Sequence, residues 1–108
     1  MKRVYIAGPY TKGDVAVNVR NAVLAGQKIL EAGHSPYIPH LCHFWHFLIP
    51  GPWEQWIKHD EQWVGVCHAV LRLEGQSVGA DGEVALAKSL GIPVFLDMSE
   101  LLKWIDNA

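Results

Sequence analysis

Positive charge is scarce in this sequence, and it nowhere forms a cluster. The 108 residues include 9 Lys and Arg against 11 Asp and Glu, which gives a net charge of −2 with neutral histidines. Lys2 and Arg3 form the single adjacent basic pair. Because a nucleic-acid polymer is held mainly by Lys and Arg on its phosphates, we expect no such polymer among the partners of this chain.

Cysteines and long apolar runs are also few. Cys42 and Cys67 stand far apart in apolar surroundings, which is more typical of small core residues than of a disulfide or a nucleophile. No apolar run approaches the roughly 20 residues of a membrane span, and the first residues lack the layout of a signal peptide. We therefore expect a reduced, cytoplasmic protein that has no membrane partner and folds as one domain over residues 1–108.

The chain does contain an alternation of apolar runs with helical patterns. Strands are predicted at residues 4–8, 35–38, 67–75 and 92–96, and helices at residues 14–32, 53–66, 79–90 and 99–107. The apolar runs are continuous, which is typical of a parallel sheet with helices on both faces. The prediction is a three-layer α/β fold, Rossmann- or flavodoxin-like, with a four- to five-stranded parallel sheet. Residues 40–52 are predicted to form an irregular, aromatic segment.

The helical spacing also predicts which residues face the core. The three predicted inner faces are Val15, Val19, Ala22, Val23, Gly26, Ile29 and Leu30; then Trp53, Trp56, Ile57, Asp60, Trp63, Val64 and Cys67; then Ala80, Glu83, Val84, Ala87 and Leu90. Ligands of open parallel sheets bind outside the carboxyl ends of the strands. The places to search are therefore residues 8–11, 39–52 and 75–83.

Two carboxylates lie on these inner faces. Asp60 is the single charge in its apolar row, and Glu83 lies in the first turn of the third predicted helix. A carboxylate against apolar surface is costly unless it is paired or used in catalysis. Each could be a hydrogen-bonded structural acid, with Glu83 serving a helix N-terminus. Two carboxylates facing one another at about 5 Å, however, are the arrangement that cleaves a glycosidic bond through a covalent intermediate.

A small polar junction precedes Glu83. Ser77 offers a hydroxyl at a helix N-terminus, where anions bind, and Gly79 would let a ligand approach the backbone closely. The loop Gly8-Pro9-Tyr10 after the first strand faces this junction. Ser77 could also serve as an ordinary helix cap. The glycine pattern is neither a phosphate-binding Walker loop nor a dinucleotide fingerprint.

Histidines are concentrated in the aromatic segment. His40, His43 and His46 follow one another at three-residue spacing, which matches no common zinc pattern. We interpret the segment as an aromatic wall over the site with one histidine, His43, touching the ligand. We expect no metal and no cofactor, although a metal-dependent hydrolase built on this segment stays an alternative. The other histidines are interpreted as structural or solvent-facing: His34, His59 and His68.

Three motifs together resemble a known family. They are "VYIAGPY" at the first strand, Asp60 about eight residues before the third strand, and "SVGADGE" entering the third helix. In order and spacing they are similar to the nucleoside 2-deoxyribosyltransferase superfamily, which includes the 2'-deoxynucleoside 5'-monophosphate N-hydrolases. The resemblance extends from residue 3 to about residue 96.

The resemblance implies roles for single residues. Glu83 matches the nucleophile that attacks the anomeric carbon, Asp60 matches an aspartate that assists at sugar and base, and Tyr5 matches an aromatic residue that positions the nucleophile. Ser77 stands where the hydrolases carry a serine for the 5'-phosphate and the transferases carry an aspartate for the sugar. The chain departs from the pattern at Cys67-His68, where relatives often have Ala-Asp.

The expected function is therefore cleavage of the N-glycosidic bond of a nucleoside or 2'-deoxynucleoside 5'-monophosphate, through a covalent glycosyl-glutamate. Two alternatives stay open: a deoxyribosyltransferase that exchanges bases, and a nucleotide-binding module without turnover. The resemblance also implies a homodimer or a larger homo-oligomer. The base and the type of sugar are left undecided.

Overall fold

The computed structural model describes residues 1–107 and confirms the predicted fold class. The elements in chain order are β1 (Arg3–Ala7), α1 (Val15–Glu31), β2 (Ser35–Tyr37), a 3-10 turn (Pro39–Leu41), α2 (Cys42–Leu48), α3 (Trp53–Val64), β3 (Ala69–Arg72), α4 (Val78–Ser89), β4 (Val94–Phe95) and α5 (Met98–Asn107). Helices cover both faces of a four-stranded sheet, which gives the expected flavodoxin-like, three-layer architecture.

All four strands are parallel and lie in the order β2-β1-β3-β4. The chain runs from β1 outward to β2 and then returns to the other side of β1 for β3. The direction of winding therefore changes between β1 and β3. At such a switch point the loops after the two strands diverge, and a crevice opens at their carboxyl ends.

The residues of β1 alternate between the two faces of the sheet. Val4 and Ile6 pack with α1 and α5, whereas Tyr5 and Ala7 pack with α3 and α4. All four side chains are completely buried. Because successive side chains of a strand point to opposite faces, one short strand serves two separate cores.

Helix α1 begins and ends as predicted, but its buried face is narrower. The Asp14 carboxylate caps the helix by accepting a hydrogen bond from the amide of Val17 at 3.2 Å, and Gly33 follows the helix with φ of +90°. Val23 and Leu30, predicted to face inward, are exposed. The buried residues are Ala22, Ala25, Gly26 and Ile29. A helix on a flat sheet buries a single row, so residues one position further around the helix reach solvent.

The aromatic segment was predicted to be irregular, and this prediction is wrong. A 3-10 turn and α2 occupy most of it, because neither proline nor glycine interrupts residues 40–49. None of the α2 side chains is fully buried. Two tryptophans predicted to face inward from α3, Trp53 and Trp63, are also exposed, as is Leu90 after α4. No helix in the part of the chain that is described is long and apolar enough to cross a membrane.

Candidate active site

A cavity of about 800 Å³ lies at the switch point, beyond the carboxyl ends of β1 and β3. Its walls come from the loop after β1, from the 3-10 turn and α2, from α3, and from the first turns of α4. Seven residues singled out in the sequence line it: Gly8, Tyr10, His43, Asp60, Ser77, Gly79 and Glu83. Its volume falls in the range of cavities that bind small molecules and cofactors.

Tyr5 and Glu83 form a buried pair next to the cavity. The Tyr5 side chain is fully buried under the sheet face, and its hydroxyl donates a hydrogen bond to Glu83 Oε2. Burial, together with the negative charge of Glu83, raises the pKa of Tyr5 above its ordinary value. The phenol therefore keeps its proton and acts as a fixed donor that orients the carboxylate.

Glu83 is ionisable near neutral pH. Burial raises the pKa of Glu83 to about 7, the hydrogen bond from Tyr5 opposes this rise, and the nearby negative charge of Asp60 adds to it. Arg72, at the end of β3, lowers the same pKa by its positive charge. A carboxylate with a perturbed pKa in a cavity is a candidate for chemistry.

Asp60 lies in the middle of α3 and faces the same cavity. Its side chain is 14% exposed, and Oδ1 lies 3.1 Å from His59 Nδ1 and 3.5 Å from the hydroxyl of Tyr37. Burial raises the pKa of Asp60, while the hydrogen bonds from His59 and Tyr37 lower it. The Tyr37 ring stacks between Tyr5 and Trp63, so an aromatic column holds this hydroxyl in place.

Ser77 caps α4. Its Oγ accepts a hydrogen bond from the amide of Ala80 at 3.0 Å, which is the structural role considered for this residue. The accepted bond uses a lone pair of Oγ, so the hydroxyl hydrogen can still donate to a ligand in the cavity. Arg72 binds Asp81 at 3.0 Å and thereby ties the first turn of α4 to β3.

The two glycines of the predicted site serve different purposes. A Cβ at Gly8 would lie 3.0 Å from Leu73 Cβ, so the close packing of the two loops disfavours a side chain there. A Cβ at Gly79 would meet Ile57 Cδ1 at 3.7 Å, an ordinary contact. Packing therefore does not require glycine at position 79, where the backbone borders the cavity.

The three histidines of the aromatic segment bind three different partners. His40 is buried, and its Nε2 lies 3.0 Å from the carbonyl oxygen of Pro9; burial lowers its pKa. His43 Nδ1 is hydrogen-bonded to the Tyr10 hydroxyl. His46 Nδ1 accepts from Trp56 Nε1 at 3.0 Å. All three line the cavity, but their hydrogen bonds point apart and connect α2 with its neighbours.

Two predicted residues, Tyr5 and Pro9, do not line the cavity, and two cationic residues were missed. Pro9 lines a separate hollow and contributes only its carbonyl oxygen, to His40. Lys12 lines the cavity, and Arg72 lies close enough to Glu83 to lower its pKa. Two features of the sequence could have identified them. Lys12 is a basic residue in the loop after the first strand, and Arg72 is an arginine at the end of an apolar strand.

Comparison with known proteins gives a family and a fold. A family model described as a domain of unknown function, DUF7768, matches residues 2–97. No curated protein matches the sequence. The solved structure of a 2-deoxyribosyltransferase from the psychrotolerant bacterium Bacillus psychrosaccharolyticus is similar, with a TM-score of 0.64 and 20% sequence identity over 85% of this chain and 69% of that one. At this identity the likeness shows a shared fold.

Proposed function

The chain belongs to the DUF7768 family, which carries no assigned function, and we propose that it cleaves the N-glycosidic bond of a nucleoside 5'-monophosphate, ribo- or 2'-deoxy. The observation that carries this proposal is the buried Glu83 carboxylate, oriented by Tyr5 and placed with Asp60 at one cavity. A structural acid would also need a hydrogen-bond donor, but it would not need to line a cavity of this size.

In the first step, Glu83 attacks C1' of the sugar as a carboxylate. The C1'–N bond breaks, its electron pair leaves with the base, and a C1'–O bond to Glu83 forms. Tyr5 holds Oε2, so the attacking atom is Oε1. Asp60, in its protonated form, donates a proton to a nitrogen of the departing base from its place at the same cavity.

In the second step, water opens the glycosyl ester. Asp60, now a carboxylate, accepts a proton as the water oxygen bonds to C1', and the C1'–O bond to Glu83 breaks. The products are the free base and a sugar 5-phosphate, and both carboxyl groups return to their starting states. The same acid thus acts in opposite directions in the two steps, as microscopic reversibility requires.

A phosphate fits the polar end of the cavity. Ser77 supplies a hydroxyl, the first turn of α4 supplies amide groups and the positive end of a helix dipole, and Lys12 supplies a positive charge. An aspartate at position 77 would repel a phosphate. The base would lie against aromatic side chains of the cavity lining, which include Tyr10, Trp53 and Trp56.

Base exchange is the second candidate reaction, and the shared fold with a 2-deoxyribosyltransferase favours it. If a second base intercepts the glycosyl ester before water does, the same two carboxylates perform a transfer. The outcome depends on how well the occupied cavity excludes water.

The implied homo-oligomer is part of the proposal. Helix α2 and the residue after it expose large apolar side chains to solvent, namely Phe44, Phe47, Leu48 and Ile49. Contiguous apolar surface of this kind marks interfaces. Light scattering on the purified protein should give a mass of at least two chains, and a monomer at all concentrations would contradict this part of the proposal.

The test is base release, followed by chromatography, from a panel of ribo- and deoxynucleoside 5'-monophosphates and the matching nucleosides. We expect release from monophosphates and, in Glu83→Gln, a loss of more than about 1,000-fold. An added second base that appears in a new nucleotide would identify a transferase. A fully active Glu83→Gln variant would contradict the mechanism. Nucleotide binding without any release of base would indicate a binding module.

A further inference from the structure

A second group of reactive side chains lies beside the proposed catalytic residues. The Cys42 thiol, His59 Nδ1 and a carboxylate oxygen of Asp60 all lie within 4.8 Å of one another. Cys42 comes from the first residue of α2, and the other two come from the middle of α3. Cys42 and Asp60 also line the cavity, so the group is reachable from solvent.

The group contains no permanent positive charge. Among the described residues, the ion-pair partner of Asp60 is His59, which is charged only when it is protonated. The basic side chain of Arg72 is bound to Asp81 on a different helix. Cys42 and Asp60 therefore have no fixed cation beside them in the described part of the chain, although three atoms of metal-ligand type converge there within 4.8 Å.

From this geometry we propose that Cys42, His59 and Asp60 bind a divalent cation of the zinc class. Sulfur, imidazole nitrogen and carboxylate oxygen are the three ligand types that zinc takes in proteins. Three protein ligands leave the fourth tetrahedral position free, as in catalytic and regulatory sites. Because Cys42 and Asp60 line the cavity, that position is open to water or to a nitrogen heterocycle bound there.

Only a small movement of Cys42 is needed to bring the three ligand atoms to zinc-binding distances. Zinc–ligand bonds of about 2.0–2.3 Å place tetrahedral ligands roughly 3–4 Å apart, and His59 Nδ1 already lies 3.1 Å from Asp60 Oδ1. The Cys42 sulfur lies no more than 4.8 Å from the other two ligand atoms, so it needs to approach by no more than about an ångström. None of the α2 side chains is fully buried, so this adjustment disrupts no core packing.

The proton balance is simple. As the metal–sulfur bond forms, the Cys42 thiol releases its proton to solvent. Before metal binds, His59 Nδ1 donates to Asp60; on binding, His59 changes to the tautomer with its proton on Nε2, and Nδ1 then offers its lone pair to the metal. No oxidation or reduction is involved. Because Asp60 would be shared between the metal and the proposed base release, metal binding is measured without substrate, so that it stands or falls separately from the proposed function.

The test is a titration of metal-free protein with Zn²⁺ in competition with a chromophoric chelator, paired with Co²⁺ absorption spectra. We expect one metal ion per chain, visible bands of tetrahedral cobalt, and a thiolate-to-cobalt charge-transfer band in the near ultraviolet. Removing a residue that only hydrogen-bonds to a metal ligand lowers metal affinity by about 10–100-fold. Losing a direct ligand, in Cys42→Ser or in His59→Gln, should therefore lower it by at least about 100-fold.

Matched controls are the other cysteine and a distant histidine. Cys67 is buried behind β3, and His34 lies near Asp106, far from the cavity. Cys67→Ala and His34→Gln should bind zinc as tightly as wild type. If all variants bind equally, the metal lies elsewhere and the proposal is wrong; the same holds if the wild type shows no binding or a cobalt spectrum without a thiolate band. Because His59 is one-third exposed, His59→Gln should fold even if Cys42→Ser does not.

Discussion

On the side of the sheet that α1 and α5 cover, the buried residues include five large aliphatic side chains, such as Ile29 and Leu101. On the side that α3 and α4 cover, the cluster is built mainly of Ala, Val and Cys around a single large residue, Tyr5. Tyr5 and Val4 are neighbours in one strand, yet one donates to a buried carboxylate and the other contacts only apolar groups.

The two faces therefore differ in role. One provides the larger aliphatic side chains of the core, and the other borders the cavity. The aliphatic face holds more of the large buried apolar side chains, and full burial of each such side chain contributes about 1.5–3 kcal/mol to folding. The small residues on the other face, among them Ala80 and Ala87, leave room for Tyr5 and Glu83 and for the cavity above them. A buried carboxylate with a raised pKa costs stability, and the aliphatic face offsets that cost.

The largest effect on stability is expected on the aliphatic face. Ile29 is completely buried between α1 and the sheet, and Ile29→Ala should lower the free energy of unfolding by about 2–5 kcal/mol through lost burial and the cavity left behind. Urea unfolding measures the change. Base release per folded molecule should stay at the wild-type rate, and a parallel loss of activity would show that the two faces are not separable.

Replacing Glu83 is expected to raise the free energy of unfolding, which is the opposite of the effect of Ile29→Ala. Its pKa rises from 4.5 to about 7 on folding, so the folded chain binds more protons than the unfolded chain between these values, and stability falls as the pH rises through them. Glu83→Gln removes this cost and should stabilise the protein by up to about 3 kcal/mol at pH 8 relative to pH 4. Urea unfolding at the two pH values measures it, with Glu74→Gln, an exposed carboxylate, as the control. An equal effect at both pH values would contradict the assigned pKa.

A smaller effect is expected from Tyr5→Phe. The Tyr5 hydroxyl stabilises the charged form of Glu83, so its loss should raise the pKa of Glu83 further. Because the carboxylate is the attacking form, the midpoint at which kcat/KM rises with pH should move upward by about one unit from its wild-type value near 7. The substrate phosphate titrates equally with both enzymes, so the difference belongs to the protein. An unchanged midpoint would remove Tyr5 from the mechanism.

The smallest effects are expected at two helix caps that lie on opposite faces of the sheet. Ser77 caps α4 beside the cavity, and Asp14 caps α1 away from it. Replacing either by Ala should cost about 1 kcal/mol of stability. Ser77→Ala should also raise KM for monophosphates about tenfold, the value of one hydrogen bond to a charged group, and leave nucleosides unaffected. If Asp14→Ala has the same effect on KM, the loss is structural and Ser77 does not bind phosphate.

The sequence predicted the fold class and the converging carboxylates because both depend on patterns within single elements. Continuous apolar runs predicted a parallel sheet, and helical spacing placed Asp60 and Glu83 on inner faces. The errors concern contacts between elements. Nothing in the spacing of α1 shows that Val23 and Leu30 miss the sheet. The absence of proline and glycine permits a helix at α2, but it does not show that hydrogen bonds of His43 with Tyr10 and of His46 with Trp56 hold this helix in place.

The grouping of Cys42, His59 and Asp60 also depends on contacts between elements, so the sequence did not predict it. His59 was interpreted as structural or solvent-facing, since a single histidine on a helix offers no signal by itself. Its proximity to Cys42 depends on how α2 packs against α3, which is a tertiary fact. Lys12 and Arg72 were missed for the same reason, because their positions matter only once the loops after β1 and β3 meet at one cavity.

The central claim is that Glu83 forms a covalent bond to the sugar. The direct measurement is rapid acid quenching of the enzyme during turnover of a nucleoside 5'-monophosphate, followed by mass spectrometry of its peptides. The account predicts a sugar phosphate attached to the peptide at Glu83, absent from Glu83→Gln. Base release without any adduct, or an adduct on another residue such as Asp60, would contradict it.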